Sequence, residues 1–442
     1  MATGPGEILY RIYRVMTFCL SPLLHLNLRW RKRRGLEHPI RWGERLGRPS
    51  LPRPPGPLVW FHAVSLGEGL AAIPVIKCCL ERMPDVNVLM TTTTTSAFEV
   101  IKNLLPSDVI YQFSPLDIPH VIEAFLCYWS PTAIILMESE LWPNLVMCAA
   151  KNGIALALLN ARMSRKSYQK WSLPGIHPLT SLLMSKFVLI VPLSTTQGIN
   201  FQLLQASPFV ISFCGDLKYA VDNFDTVERD HRVLDALKVQ LAERKMWLAA
   251  SIHRGEDKVM IEVHKELQKI YPDILTIIVP RHPQYGQEIS LGLQKEHLTV
   301  AVRSRNDSIM TETNIYVVDT LGELRMFYSL TPIAVVGGSF VPGSAGHNIT
   351  EAAAAGCAVL TGPYIGHFSN MANQMQHLNP FSVRQVSSDG LVEALKVLLG
   401  DDSVLEAHRV AARQAHQALS HGIIDNLWHL LAMNIFDKTR GK

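Results

Sequence analysis

Charged side chains make up only 18% of the 442 residues, against 48% hydrophobic ones, so the chain can bury large cores and is no disordered polyelectrolyte. Charge is not one-sided either: 42 Lys and Arg against 38 Asp and Glu leave a net +4. That is too little over this length to indicate nucleic acid, and no basic stripe interleaved with aromatics appears. The seven cysteines (Cys19, Cys78, Cys79, Cys127, Cys148, Cys214 and Cys357) are odd in number and scattered. They form no C-x-x-C pair and lie at no His-ligand spacing, which excludes a disulfide framework and fits no metal site. G-x-x-x-x-G-K-[ST] is absent, which excludes a P-loop. No G-x-G-x-x-G follows a strand, which disfavours a nicotinamide dehydrogenase.

A membrane-spanning run is missing as well. Between Arg14 and Arg29 the stretch "VMTFCLSPLLHLNL" is apolar but short and carries Pro22, whereas an upright span needs about 20 apolar residues. Around it stand Arg11, Arg14, Arg29, Arg31, Lys32, Arg33 and Arg34, with Glu7 the one early acid. A helix lying in a membrane surface, with Tyr10, Tyr13 and Trp30 as interfacial anchors, is the physical reading. A core helix and an Arg-rich, acid-poor targeting peptide compete with it.

What is present is alternation. After the linker-like "RPSLPRPPGP" (Arg48 to Pro57), near-continuous β-branched and apolar runs take turns with amphipathic helices. They begin with "LVWFHAV", "VNVLMTTT", "VIYQFSP", "AIILMES" and "IALALLNARM"; "SKFVLIVPLS" and "FVISFCGDL" add strands. A second series starts after Asp222–Lys238 with "KMWLAAS" and runs through "ILTIIVPRH", "LTVAVRS", "NIYVVDT" and "PIAVVGGS". Such alternation predicts two doubly wound α/β halves facing a cleft, divided near residue 220. Residues 1–50 read as a membrane-surface segment, 51–220 as one half, and 221–442 as the other with two closing helices.

Open parallel sheets bind ligands beyond the carboxyl ends of their strands, and the polar residues collect there. The first half supplies His62, Ser65, Glu68, Glu138, Glu140, Asn160 and Arg162; the second supplies Ser251, His253, Arg281, His282, Gly338 and Ser339. Each alone is adequately explained as a cap or turn; the coincidence across two halves is not. Asn348 with Glu351 three residues later matches an N-cap box before "ITEAAAAG", and the same helix start offers N–H groups to a phosphate. The sharper expectation is a phosphate held at Gly338–Ser339 and Gly346–Asn348, with Glu351 on ribose hydroxyls. Glu68 opens a helix whose dipole would stabilise its charge; beside His62 in a cleft it could equally accept a proton. The residues alone leave both readings standing.

"HAVSLGE", "MESELWPN", "LLNARMS", "GDLKY", "SIHRGED", "VPRHP", "VVDTLGEL", "VVGGSF" and "GHNITEAAAAG" follow one another along the chain. As an ordered set they resemble the Kdo transferases, which move 3-deoxy-D-manno-oct-2-ulosonic acid (Kdo) from CMP-Kdo onto lipid A. The resemblance runs from about Ile8 to the closing helices. "RWGERLG" (Arg41–Gly47) shares it, implying that the N-terminal helix belongs to the mature fold. "PLSTTQGINFQLLQA" and "FHAVSLGEG" look most like the plant branch, which implies a mitochondrial location; the bacterial branch would imply the cytoplasmic face of the inner membrane.

This resemblance implies a GT-B architecture and an inverting, metal-independent glycosyltransferase with no cofactor, consistent with the absence of an Asp-x-Asp motif. Its partners would be CMP-Kdo, a lipid A precursor and a membrane surface. It implies Glu68 as general base, with Glu140 and Arg162 beside it, and Ser65, Gly67, Glu138 and Lys218 toward the acceptor and the Kdo carboxylate. Toward CMP it implies Ser251, His253, Pro280, Arg281, Gly338, Ser339, Asn348 and Glu351. Rival readings are a sugar-nucleotide epimerase of the same shape and an inactive membrane-docked scaffold.

Overall fold

A computed structural model describes residues 4–139, 141–220, 228–241 and 244–437. They form two compact units, one of residues 1–221 with 422–442 and one of residues 222–421.

The first unit is built on six parallel strands: β1 (Leu58–His62), β2 (Asn87–Thr92), β3 (Ile110–Phe113), β4 (Ala133–Met137), β5 (Ala155–Ala161) and β6 (Leu189–Pro192), in the order 3-2-1-4-5-6. Every residue of β1 and β4 is buried, as expected of strands covered on both faces. Trp60 anchors the core, its ring 4.5 Å from Phe125 on the helix Pro119–Trp129. Strand order reverses between β1 and β4; Glu68 lies in the first turn of the helix that follows β1, and Glu138 directly follows β4.

The second unit has seven parallel strands: β7 (Met246–Ile252), β8 (Leu275–Pro280), β9 (Val300–Val302), β10 (Ile315–Val317), β11 (Ile333–Val336), β12 (Ala358–Thr361) and β13 (Arg384–Gln385). Their order is 13-12-11-7-8-10-9, so the reversal lies between β7 and β11. Trp247, Ile278, Val317 and Val335 centre its core.

Three sequence expectations need correction. "FVISFCG" is no strand: Pro208–Val210 is a short turn of helix, one bridge pairs Ile190 with Ile211, and Phe209 is 95% exposed. Residues 1–50 belong to the first unit, clamped by charge. In the turn Arg41–Leu46, buried Glu44 accepts the Phe113 N–H at 2.8 Å, and buried Arg45 donates to Ser114 on the same edge of the sheet. Third, of the two closing helices, Asp402–Ser420 stays with the second unit, while Ile423–Leu431 joins the first by packing on the helix Leu66–Arg82. There Asp425 pairs with Arg82, which also lies over the Trp428 ring.

The N-terminal segment is two helices, Pro5–Cys19 and Ser21–Arg33. Gly6 lies against the Pro178 carbonyl, where a Cβ would come within 2.4 Å, so only glycine allows this approach. Tyr13 donates to Asp117, and Asp117 in turn accepts the Asn144 and Leu145 N–H groups. It thereby caps the helix Pro143–Lys151, whose own N-cap residue Trp142 makes no side-chain capping bond. Burial pushes the Asp117 carboxyl up to about 6. Away from these contacts the helices expose apolar side chains, Ile8, Ile12, Val15, Met16 and Phe18 on the first and Leu23 and Leu26 on the second. No helix among the described residues is long and apolar enough to cross a membrane.

Candidate active site

In the first unit, β1 ends at His62 and the chain turns into the helix Leu66–Arg82 through Ser65 as N-cap. The spacing is that of a capping box. The Ser65 hydroxyl caps the Glu68 N–H, while the Glu68 carboxylate reaches back to accept the Val64 N–H and the Ser65 hydroxyl, both at 2.8 Å. Glu68 stays half-buried. Desolvation, reinforced by the neighbouring Glu138 charge, raises its carboxyl above the usual range, while these bonds and Lys218 work the other way. Beside it, a Cβ on Gly67 would meet nothing within 4 Å, which leaves space at the helix start.

Glu138 follows β4 in a left-handed conformation (φ 56°), its N–H bonded to the Leu159 carbonyl and its carbonyl accepting the Arg162 N–H. Strain of this kind collects where a side chain must be aimed. Its carboxylate pairs with Lys218 Nζ at 2.7 Å, both groups mostly buried. Lys218 is held in turn: its N–H bonds Asp216, which accepts from Asn160, another left-handed residue (φ 52°) at a bulge of β5. The structure thus gathers Ser65, Glu68, Glu138, Arg162 and Lys218 at the carboxyl ends of β1, β4 and β5. Glu140 lies outside the described residues. His62 is buried beneath, bonded to Thr91, with burial holding its pKa down at about 3, so it is a neutral core residue.

The second unit repeats the pattern with other side chains. Ser251, left-handed at φ 57°, makes a bulge near the end of β7, just before Ile252 pairs with Pro280. The Arg281 N–H bonds the Ile252 carbonyl there. Three residues after His253, at the start of the helix Glu256–Gln268, Glu256 is fully buried. Its two oxygens accept four backbone N–H groups, from His253, Gly338, Ser339 and Phe340, at 2.7–2.9 Å. Gly337 makes room, since a Cβ there would stand 2.9 Å from the carboxylate.

This corrects one expectation: the Gly338 and Ser339 amides do not wait for a phosphate, because Glu256 already occupies them. Ser339 is buried and fully used, its hydroxyl donating to Val336 and accepting the Gly362 N–H. Asn348 accepts the Thr350 N–H and hydroxyl instead of capping Glu351, and Glu351 receives Asn348 and, at 3.4 Å, Arg325. What remains open is a cavity of about 430 Å³ lined by His253, Gly338 and the loop 342–347. On its wall the Nε2 atoms of His253 and His347 meet at 2.8 Å.

Sequence reasoning missed Glu256 and His347. A signal for Glu256 was there: "SLGE" after β1 and "HRGE" after β7 place a Gly-Glu pair at the same step of each half. For His347 nothing local pointed to a second histidine 94 positions away.

Comparison with known proteins bears on this geometry. The profile described as "3-Deoxy-D-manno-octulosonic-acid transferase (kdotransferase)" matches residues 40–221. A probable mitochondrial 3-deoxy-D-manno-octulosonic acid transferase of Arabidopsis thaliana is 57% identical over 99% of this chain and 98% of its own length. The 3-deoxy-D-manno-octulosonic acid transferase of Haemophilus influenzae is 31% identical over 80% of this chain and 81% of its own. Among solved structures, the UDP-GlcNAc 2-epimerase of Neisseria meningitidis covers 86% of this chain and all of its own at a TM-score of 0.58 and 14% identity, a likeness of fold alone. With two Rossmann-like units in the GT-B architecture and relatives at these identities, the chain belongs to the Kdo transferases, a family of glycosyltransferases.

Proposed function

We propose that the protein transfers Kdo from CMP-Kdo, with inversion, to the sugar hydroxyl of a lipid A precursor, and that Glu68 is its general base. The observation that carries this reading is the state of Glu68. Its carboxylate is anchored by two short bonds, half-exposed, and shifted toward neutral pH by desolvation and Glu138. A base with that character takes the acceptor proton as its oxygen attacks the anomeric carbon; such a group contributes roughly 10²–10⁴-fold. Lys218, Arg162 and the partly neutralised Glu138 orient the Kdo carboxylate and acceptor phosphates, and Glu140 supports the base.

In the second unit, the cavity bordered by His253 and the loop 342–347 receives the CMP phosphate. Ser251, Pro280 and Arg281 flank the nucleotide, and Asn348 and Glu351 face its ribose. Gly338 and Ser339 act by holding the loop on Glu256. Arg281 and the histidines offset the charge of the leaving phosphate without a metal, the electrostatic demand of this chemistry. The exposed apolar face of the two N-terminal helices, edged by Arg29, Arg33 and Arg34, rests in the surface of the membrane that carries the acceptor. The mitochondrial name of the Arabidopsis relative supports the same compartment here.

Incubation with CMP-Kdo and a tetra-acylated lipid A precursor tests the reading by product mass. The acceptor gains Kdo; an unchanged acceptor mass beside an enzyme that binds CMP would overturn it. The surface contact has its own check. Glutamate at Ile12, Val15 and Phe18 removes three side chains worth about 1.5–3 kcal/mol each when buried. Flotation with anionic vesicles should then fail while the fold stays intact.

A further inference from the structure

The His253 and His347 rings lie 5.0 Å apart between centroids, nearly parallel at 26°, with their Nε2 atoms 2.8 Å from each other. At that distance one ring donates its N–H and the other accepts, so a single proton is shared. The arrangement is built, not incidental. Glu256 fixes the His253 N–H and the Gly338 N–H with one oxygen. Gly338 (φ 63°) leaves a space that a Cβ would take away, coming within 2.7 Å of His347 and 3.4 Å of His253. The Gly346 N–H ties the loop carrying His347 back to the Gly338 carbonyl at 2.8 Å.

The charged and titratable groups facing the pair are Arg281 and His282 after β8 and Glu256 below it. His282 stands edge-on to His253 at 6.4 Å. Desolvation first, then Arg281 and the neighbouring imidazoles, hold His347 down at about 3, and burial lowers His253 as well, so the pair is neutral. An anion in the cavity reverses the balance, because it offers opposite charge to a second proton that burial, Arg281 and His282 oppose.

We infer that the His253–His347 pair takes up a proton when an anionic phosphodiester enters the cavity, and delivers that proton to the phosphate oxygen as its bond to the sugar breaks. This rests on the donor reading above. The step balances. The acceptor oxygen gives its proton to Glu68 and its electron pair to the anomeric carbon. The carbon–oxygen bond to phosphate breaks with its electrons on the phosphate oxygen, which receives the proton of the imidazolium. CMP departs as the monoanion, and the pair returns to one shared proton. Glu256 acts only by positioning the two rings.

The methyl ester of CMP tests this, since its phosphodiester has no proton that titrates near neutrality. Calorimetry of its binding to the full-length protein, in buffers of differing ionisation heat, reads the protons taken up. Wild type should absorb close to one proton near pH 6, with the Kd rising by up to about tenfold per pH unit toward pH 8. His347→Asn, or His347→Gln should the first variant fold poorly, should bind with no uptake and a flat pH dependence. Wild-type binding without proton uptake overturns the inference, as does uptake undiminished in a folded variant. No binding of the ester at any pH overturns the donor reading itself.

Discussion

Glu68 and Glu256 hold the same post in two halves of one molecule. Each sits a few residues beyond the first strand of its sheet, next to a glycine, and each reaches back to a backbone N–H that precedes its helix. What surrounds them differs. Glu256 is fully buried under four backbone donors from two loops, so every direction of its carboxylate is spent on structure. Glu68 has one backbone donor and one hydroxyl, a second carboxylate and a lysine nearby, and open space beside it. One framework position is thus a bolt in one unit and, in the function proposed above, the proton acceptor in the other. The number of donors around the carboxylate decides which.

Removing the two side chains should separate these roles. Glu256→Ala leaves four buried N–H groups without partners, at roughly 1–3 kcal/mol for each. The second unit should lose stability by roughly 4 kcal/mol or more, with CMP binding lost alongside, as read by thermal unfolding and calorimetry. Glu68→Ala removes half of a capping box, worth about 1 kcal/mol. Its unfolding midpoint should move by only a few degrees, and CMP should bind as before. Equal destabilisation by the two changes would erase the distinction.

A third carboxylate sharpens it further. Asp117 accepts three donors yet is raised to about 6, because burial outweighs the bonds. A raised carboxyl contributes stability that is complete below its ordinary value near 4 and is lost as the pH climbs through about 6. Wild type should therefore lose stability between pH 4 and pH 7 at the docking of the N-terminal helices. Asp117→Asn should flatten that slope. Thermal unfolding across the pH range measures it.

Much of this was legible in the sequence because buried parallel strands leave unbroken apolar runs, and the turns after them stand out as polar. The doubly wound halves, and Glu68, Glu138 and Arg162 at one edge, follow from that contrast, whereas Lys218 came only with the family resemblance. "FVISFCG" misled for the same reason: its apolar side chains look like a strand, but Phe209 and Phe213 point outward. The bond from Glu256 to Gly338 spans 82 positions, and no local pattern encodes such a closure. The reading of Gly338–Ser339 as a phosphate cradle failed there, since an internal carboxylate and a ligand phosphate ask the same of a glycine-rich turn. The last helix defied assignment by order along the chain, because it returns to the first unit through Arg82 and Asp425.

Single-turnover transfer from CMP-Kdo to a lipid A precursor, followed across pH for wild type and Glu68→Gln, bears most directly on the proton acceptor. Wild type should show an acid limb lying above the ordinary carboxylate range, as the raised Glu68 requires. Glu68→Gln should be slower by about 10²-fold or more, without that limb and with CMP affinity intact. Transfer by the glutamine variant within a few-fold of wild type, with the same acid limb, would contradict the account.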